Sequence, residues 1–120
     1  MKNRILVVDN EPDTVELIRT ILASAKYGVS TAFSGLECLE KVEREKPELV
    51  LLDLMMPDLS GWDTFNRIRR KNMKVKIAFI SVIEVSRDRK EKLLLNGLSD
   101  YITKPFTAEE LLERVGKILA

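Results

Sequence analysis

Leu49-Val50-Leu51-Leu52-Asp53 is a run of four branched apolar residues closed by an acid. A run this short and this apolar reads as a strand buried on both faces, the pattern of a parallel sheet covered by helices. Directly downstream, Gly61 to about Lys71 takes helical spacing, with Trp62, Phe65 and Ile68 near its inner side.

The same alternation repeats outward from this stretch. Upstream, Ile5 to Asp9 is a compact strand-type run, and Asp13 to about Ala25 carries Val15, Ile18, Ile21 and Leu22 at helical spacing. Tyr27-Gly28 breaks that helix, Val29 to Phe33 reads as a strand, and Gly35 to Glu45 sets Leu36, Leu39 and Val42 on one stripe before Lys46-Pro47. Downstream, Val75 to Ser81 is a strand, Ser86 caps a helix that runs to Asn96-Gly97, and Tyr101-Ile102-Thr103 is a short strand. Thr107 and Glu110 form a capping box ahead of a last helix bearing Leu111, Leu112, Val115, Ile118 and Leu119. Five β/α units in strict alternation predict an α/β doubly wound, three-layer sandwich with right-handed crossovers. Open sheets of this kind bind ligands at the carboxyl ends of their strands, where strand order reverses.

Composition narrows the chemistry available there. A length of 120 residues predicts one domain, 1–120. The absence of histidine excludes Ser-His-Asp and Cys-His catalysis and His-ligated metal on this chain, and one cysteine, Cys38, excludes an internal disulfide. Cys38 reads as core filler. A net charge of +1 offers no global attraction to nucleic acid or to an anionic membrane. The start Met1-Lys2-Asn3-Arg4 is basic, but the apolar run behind it stops at Asp9, too short for a signal-peptide core, so a cytoplasmic protein is expected. Arg67, Arg69, Arg70, Lys71, Lys74 and Lys76 lack interleaved aromatics and read as a solvated helix end complementing the dipole.

The strand ends then carry the functional expectation. They supply Asp9-Asn10-Glu11, Asp53, Ser81 and Lys104-Pro105. A single Asp after a strand is ordinarily a turn former or cap. Four strand ends with complementary groups form a joint pattern. Crowded carboxylates raise each other's pKa unless a cation lies between them, and Mg²⁺ is the natural oxygen-liganded partner. A carboxylate beside a metal, a lysine and a hydroxyl is suited to accept a phosphoryl group as an acyl phosphate.

Four motifs, Ile5-Leu6-Val7-Val8-Asp9-Asn10-Glu11-Pro12, Leu51 to Gly61, Phe79-Ile80-Ser81 and Asp100-Tyr101-Ile102-Thr103-Lys104-Pro105-Phe106, resemble the receiver domain of two-component response regulators, the CheY-like superfamily. The resemblance covers essentially the whole chain. It implies a flavodoxin-like sheet of order 2-1-3-4-5 and Asp53 as acceptor of phosphate from a histidine kinase or phosphotransfer protein. It implies Mg²⁺ (or Mn²⁺) held by Asp9, Asn10, Asp53 and the backbone carbonyl of Met55. Ser81 matches the switch hydroxyl, Tyr101 the switch aromatic and Lys104 the phosphate-contacting lysine, with a cis bond to Pro105. A surface made by the fourth helix, fifth strand and fifth helix would be read by a downstream effector or by a second copy, as a homodimer. Direct nucleic-acid or membrane binding by this domain is not implied, and the resemblance fits both a stand-alone receiver and part of a longer regulator.

Three departures from the family pattern set further expectations. Asn10 stands where the family usually has an acid, so either Mg²⁺ binds more weakly, or Glu11 compensates, or the amide is tolerated; an Mg²⁺ titration of Trp62 fluorescence in Asn10→Asp separates these. Val82 replaces a small residue after the switch hydroxyl and would narrow access to Asp53, which unchanged acetyl-phosphate rates in Val82→Ala would contradict. The apolar Ile83-Glu84-Val85 either extends the fourth strand inward or forms a partner-binding loop. Met55 and Ile83 cannot orient an attacking water well, so a long-lived acyl phosphate is expected, read by intact mass over time. Against the switch stands a pseudo-receiver working through a fixed surface. An aspartyl-phosphate phosphatase would need an acid where Met55 lies, and a flavin site would need a phosphate loop unlike Glu11-Pro12-Asp13.

Overall fold

The computed structural model describes residues 3–71 and 73–120. Met1 and Lys2 of the basic start lie outside the described residues. The chain alternates β1 (Arg4–Val8), α1 (Pro12–Ser24), β2 (Gly28–Ala32), α2 (Gly35–Glu45), β3 (Leu49–Leu52), α3 (Gly61–Arg70), β4 (Lys76–Ser81), α4 (Arg87–Leu95), β5 (Asp100–Thr103) and α5 (Ala108–Leu119). All neighbouring strands are parallel, in the order β2-β1-β3-β4-β5. The strand order reverses between β1 and β3, which are in register at Val8 and Leu52.

The sheet divides the interior in two. Alternate side chains of β1 and β3 explain why: Leu6, Val8, Val50 and Leu52 join one cluster with Cys38 and Val42 of α2 and Phe65 and Ile68 of α3. Ile5, Val7, Leu49 and Leu51 join the other with Val15, Ile18 and Leu22 of α1 and Leu111 and Val115 of α5. All four residues of β3 are buried, as its unbroken apolar run requires. Each such Leu contributes about 2 kcal/mol through burial.

Three expectations are corrected. In α2 the inward line is Gly35, Cys38 and Val42, with Leu39 packed against it, while Leu36 is exposed. Gly35 sets this: a Cβ there would lie 2.6 Å from Thr64 Oγ1 and 2.7 Å from Leu59 Cβ, so the bare backbone abuts α3 and Leu36 turns outward. The fourth strand ends at Ser81 and is not extended by Ile83 to Val85; Val82 and Ile83 are exposed, and only Val85 packs against the core. The basic stretch is not uniformly solvated either. Arg69 donates to the carbonyls of Met73, Val75 and Gly97, and Lys71 pairs with Glu43 at 2.6 Å. Among the described residues no helix is long and apolar enough to cross a membrane.

Candidate functional site

The reversal of strand order places Asp9 and Asp53 side by side. Asp53 N–H donates to Val8 O at 3.0 Å, continuing the β1–β3 ladder one residue past the strands. Both acids are buried, Asp9 at 2% exposure and Asp53 at 8%. Lys104 reaches across from the end of β5, its Nζ 2.9 Å from Asp9 Oδ2 and 3.9 Å from Asp53 Oδ2. Asp9 Oδ1 is occupied by the Glu11 N–H at 3.0 Å, and Asp53 Oδ1 accepts from the Met55 N–H at 3.3 Å.

Burial pushes the Asp53 carboxyl above the usual carboxylate range, and the neighbouring Asp9 pushes it further; Lys104 and the Met55 N–H pull the other way without cancelling them. Two carboxylates against one ammonium leave one net negative charge in a poorly hydrated crevice. The donors are hard oxygens. Such a set suits a hard divalent cation, which would relieve the carboxylate repulsion.

The other expected residues surround this triad at graded distances. Asn10 is exposed and lines an open cleft of about 470 Å³ with Leu54, Met55, Met56, Pro57 and Ser60. The Glu11 side chain is exposed, and among the described residues no group of three or more His, Cys, Asp or Glu side chains is already gathered as a metal site. Ser81 is fully buried at the end of β4, and its Oγ accepts from Ile83 N–H at 3.1 Å. Tyr101 is turned inward at 2% exposure and its hydroxyl donates to the Ile83 carbonyl. Burial raises the Tyr101 phenol above its ordinary value, although its hydrogen bond with the Ser81 side chain and the charge of Arg89 act against this. Val82 is 64% exposed beside this rim. The Lys104–Pro105 bond is cis. Cys38 is buried, and burial, helped by Glu37, pushes its thiol up to about 12, so it is inert.

Some contacts carry no local mark in the sequence. Asp58 accepts from the backbone of α2, Arg89 lies 5.2 Å over the Trp62 ring, and Arg114 makes a bidentate pair with Asp100. Only the Pro57-Asp58 and Asp100-Tyr101 motif positions hinted at these acids, and their partners lie 14 to 23 residues away.

Comparison with known proteins agrees with this architecture. Residues 5–116 match the family described as the response regulator receiver domain. The chain is 39% identical over 119 residues to the alkaline phosphatase synthesis transcriptional regulatory protein of Bacillus subtilis, covering 99% of this chain and 49% of that protein. It is 36% identical to a hybrid signal transduction histidine kinase of Dictyostelium discoideum, covering 96% of this chain and 7% of that one. The chain thus spans at most about half the length of these curated relatives. A response regulator of Thermotoga maritima, solved in complex with Mg²⁺ and BeF, superposes with a TM-score of 0.84 at 36% identity, over 99% of this chain and 100% of that one. A CheY-like receiver domain protein of Methanospirillum hungatei gives 0.88 at 28% identity, over 99% and 94%. The chain therefore belongs to the response regulator receiver domains of two-component systems.

Proposed function

We propose that the chain is one receiver domain switched by phosphorylation of Asp53. The observation that carries this reading is the placement of the Asp53 carboxylate in the crevice, with Lys104 Nζ 3.9 Å from its Oδ2 and an open cleft alongside. Asp53 Oδ1 is engaged by the Met55 N–H, which leaves Oδ2 as the attacking oxygen. That oxygen forms the new O–P bond while the P–N bond to the donor's phosphohistidine breaks and the imidazole leaves with the electron pair. The donor comes from a histidine kinase or phosphotransfer protein; the hybrid kinase among the relatives supports that pairing. When bound, Mg²⁺ would offset the charge of the carboxylates and of the phosphoryl oxygens; Asp9, Asp53, the Asn10 amide and the Met55 carbonyl are the groups to hold it, and the Mg²⁺-bound relative supports this choice.

Lys104 is placed to turn from Asp9 toward a phosphoryl oxygen on Asp53, and the Ser81 hydroxyl lies at the adjoining strand end. Ser81 and Tyr101 both bond to Ile83, so a change at Ser81 reaches the β4–α4 loop and thence the α4–β5–α5 surface, read by an effector or a second copy. The domain acts as a signalling switch in the cytoplasm that takes part in its own phosphotransfer and dephosphorylation. Acetyl phosphate with Mg²⁺ followed by intact mass tests the proposal. An adduct on the wild type that is absent from Asp53→Ala supports it, and an unmodified wild type would identify a pseudo-receiver.

A further inference from the structure

The loop from Leu54 to Ser60 carries the Met55 carbonyl and one wall of the cleft, so its position decides how well the site is formed. Its base is closed by Gly61 N–H donating to Leu54 O at 2.8 Å. The approach there is so tight that a Cβ on Gly61 would lie 2.4 Å from Asp53 O. Its tip is tied to another element through Asp58. The two carboxylate oxygens of Asp58 accept from Gly35 N–H at 3.1 Å and from Leu36 N–H at 2.9 Å, the first amides of α2. Ser34 accepts from the next one, Glu37 N–H, at 3.1 Å. The α2 end therefore has its own cap, and Asp58 adds a link between elements rather than a substitute for it. The link is two-pronged, one carboxylate oxygen to each amide. Desolvation works against the ionised form, yet the N–H donors of Leu36, Gly35 and Leu59 outweigh it and hold the Asp58 carboxyl below the usual range. The positive end of the helix dipole acts in the same sense.

Building on the metal-dependent reading above, we infer that Asp58 is a positioning residue for the divalent cation. By clamping the loop tip to α2 it fixes the Met55 carbonyl relative to Asp9 and Asp53. Groups that hold a ligand in place without touching the metal commonly govern affinity strongly. The experiment is an Mg²⁺ titration of Trp62 fluorescence in the full chain, with urea denaturation of each variant alongside. Asp58→Ala is expected to weaken Mg²⁺ binding about tenfold. Asp58→Asn, which keeps one acceptor, is expected to fall between it and the wild type. Ser34→Ala removes a cap from the same helix end but leaves the clamp, and is expected to lower stability without moving the Mg²⁺ midpoint. An unchanged midpoint in Asp58→Ala overturns the inference, and so does an equal shift in Ser34→Ala, which would mean that helix stability alone sets the effect. No Mg²⁺ response in the wild type also overturns it. Failure of the phosphotransfer reading shows separately, as a wild type that binds Mg²⁺ but gains no mass from acetyl phosphate.

Discussion

α4 and α5 both follow a strand that ends in the site, and they are held in opposite ways. α5 opens with a complete capping box, buries Leu111 and Val115, and has Arg114 locked to Asp100 by contacts of 2.9 and 3.0 Å. α4 buries no residue. Its attachments are Leu93 against the core, Arg89 over Trp62, and Lys90 at 3.8 Å from the same Asp100 that Arg114 already engages. The cause lies in residue order. Arg87 to Lys92 is a charged run and Leu93-Leu94-Leu95 comes all at once, so no apolar stripe forms, and Leu95 stays 86% exposed. A helix without a buried face can move at little cost. The difference separates the two flanks of the site: α5 is tightly fixed and α4 is loosely held.

The largest effect should come from the fixed side. Leu111→Ala is expected to cost about 3 kcal/mol in urea denaturation, whereas Leu95→Ala should stay within about 0.5 kcal/mol. Equal costs would erase the distinction. Next comes the charge at the head of α5. Lys104→Ala leaves Asp9 and Asp53 facing each other unpaired and should cost about 2 kcal/mol at neutral pH with metal chelated. Added Mg²⁺ should restore much of that loss, and a variant indifferent to Mg²⁺ would contradict the pairing.

The wider alternation was legible because three of the strands, β1, β3 and β4, carry short apolar runs and four of the helices repeat their apolar residues at three and four. Loops and long contacts were less so. Leu36 looks like a stripe residue until Gly35 is seen to pack against Leu59 and Thr64. Val82 to Val85 look like strand until the Ser81 hydroxyl takes the Ile83 N–H and turns the chain. At the site, Asp9, Asp53, Ser81 and Lys104 stand at strand ends, where topology alone brings them together. Asp58 is tied to residues 22 and 23 positions upstream, a pairing that no local pattern encodes.

A smaller effect concerns the sign of a charge. Because burial and Asp9 raise the Asp53 carboxyl in the folded state, folding favours its protonated form. The stability tied to this group is fully present below the ordinary carboxylate range and is lost as pH rises through the raised folded value. Asp53→Asn is therefore expected to gain about 1 kcal/mol at neutral pH without metal, the gain fading on acidification. A gain that persists unchanged in acid would show that charge is not its source. The smallest effect returns to α4. Arg89→Ala should change global stability by less than about 0.5 kcal/mol yet speed amide exchange along α4. If exchange in α5 rose equally, the two helices would be coupled rather than independent.

The sheet that splits the interior has a consequence for how this chain can vary. Neighbouring residues of β1, such as Leu6 and Val7, belong to different interiors and share no packing partners across the sheet. Volume changes on one side therefore need no compensation on the other, and paired substitutions across the sheet should combine additively.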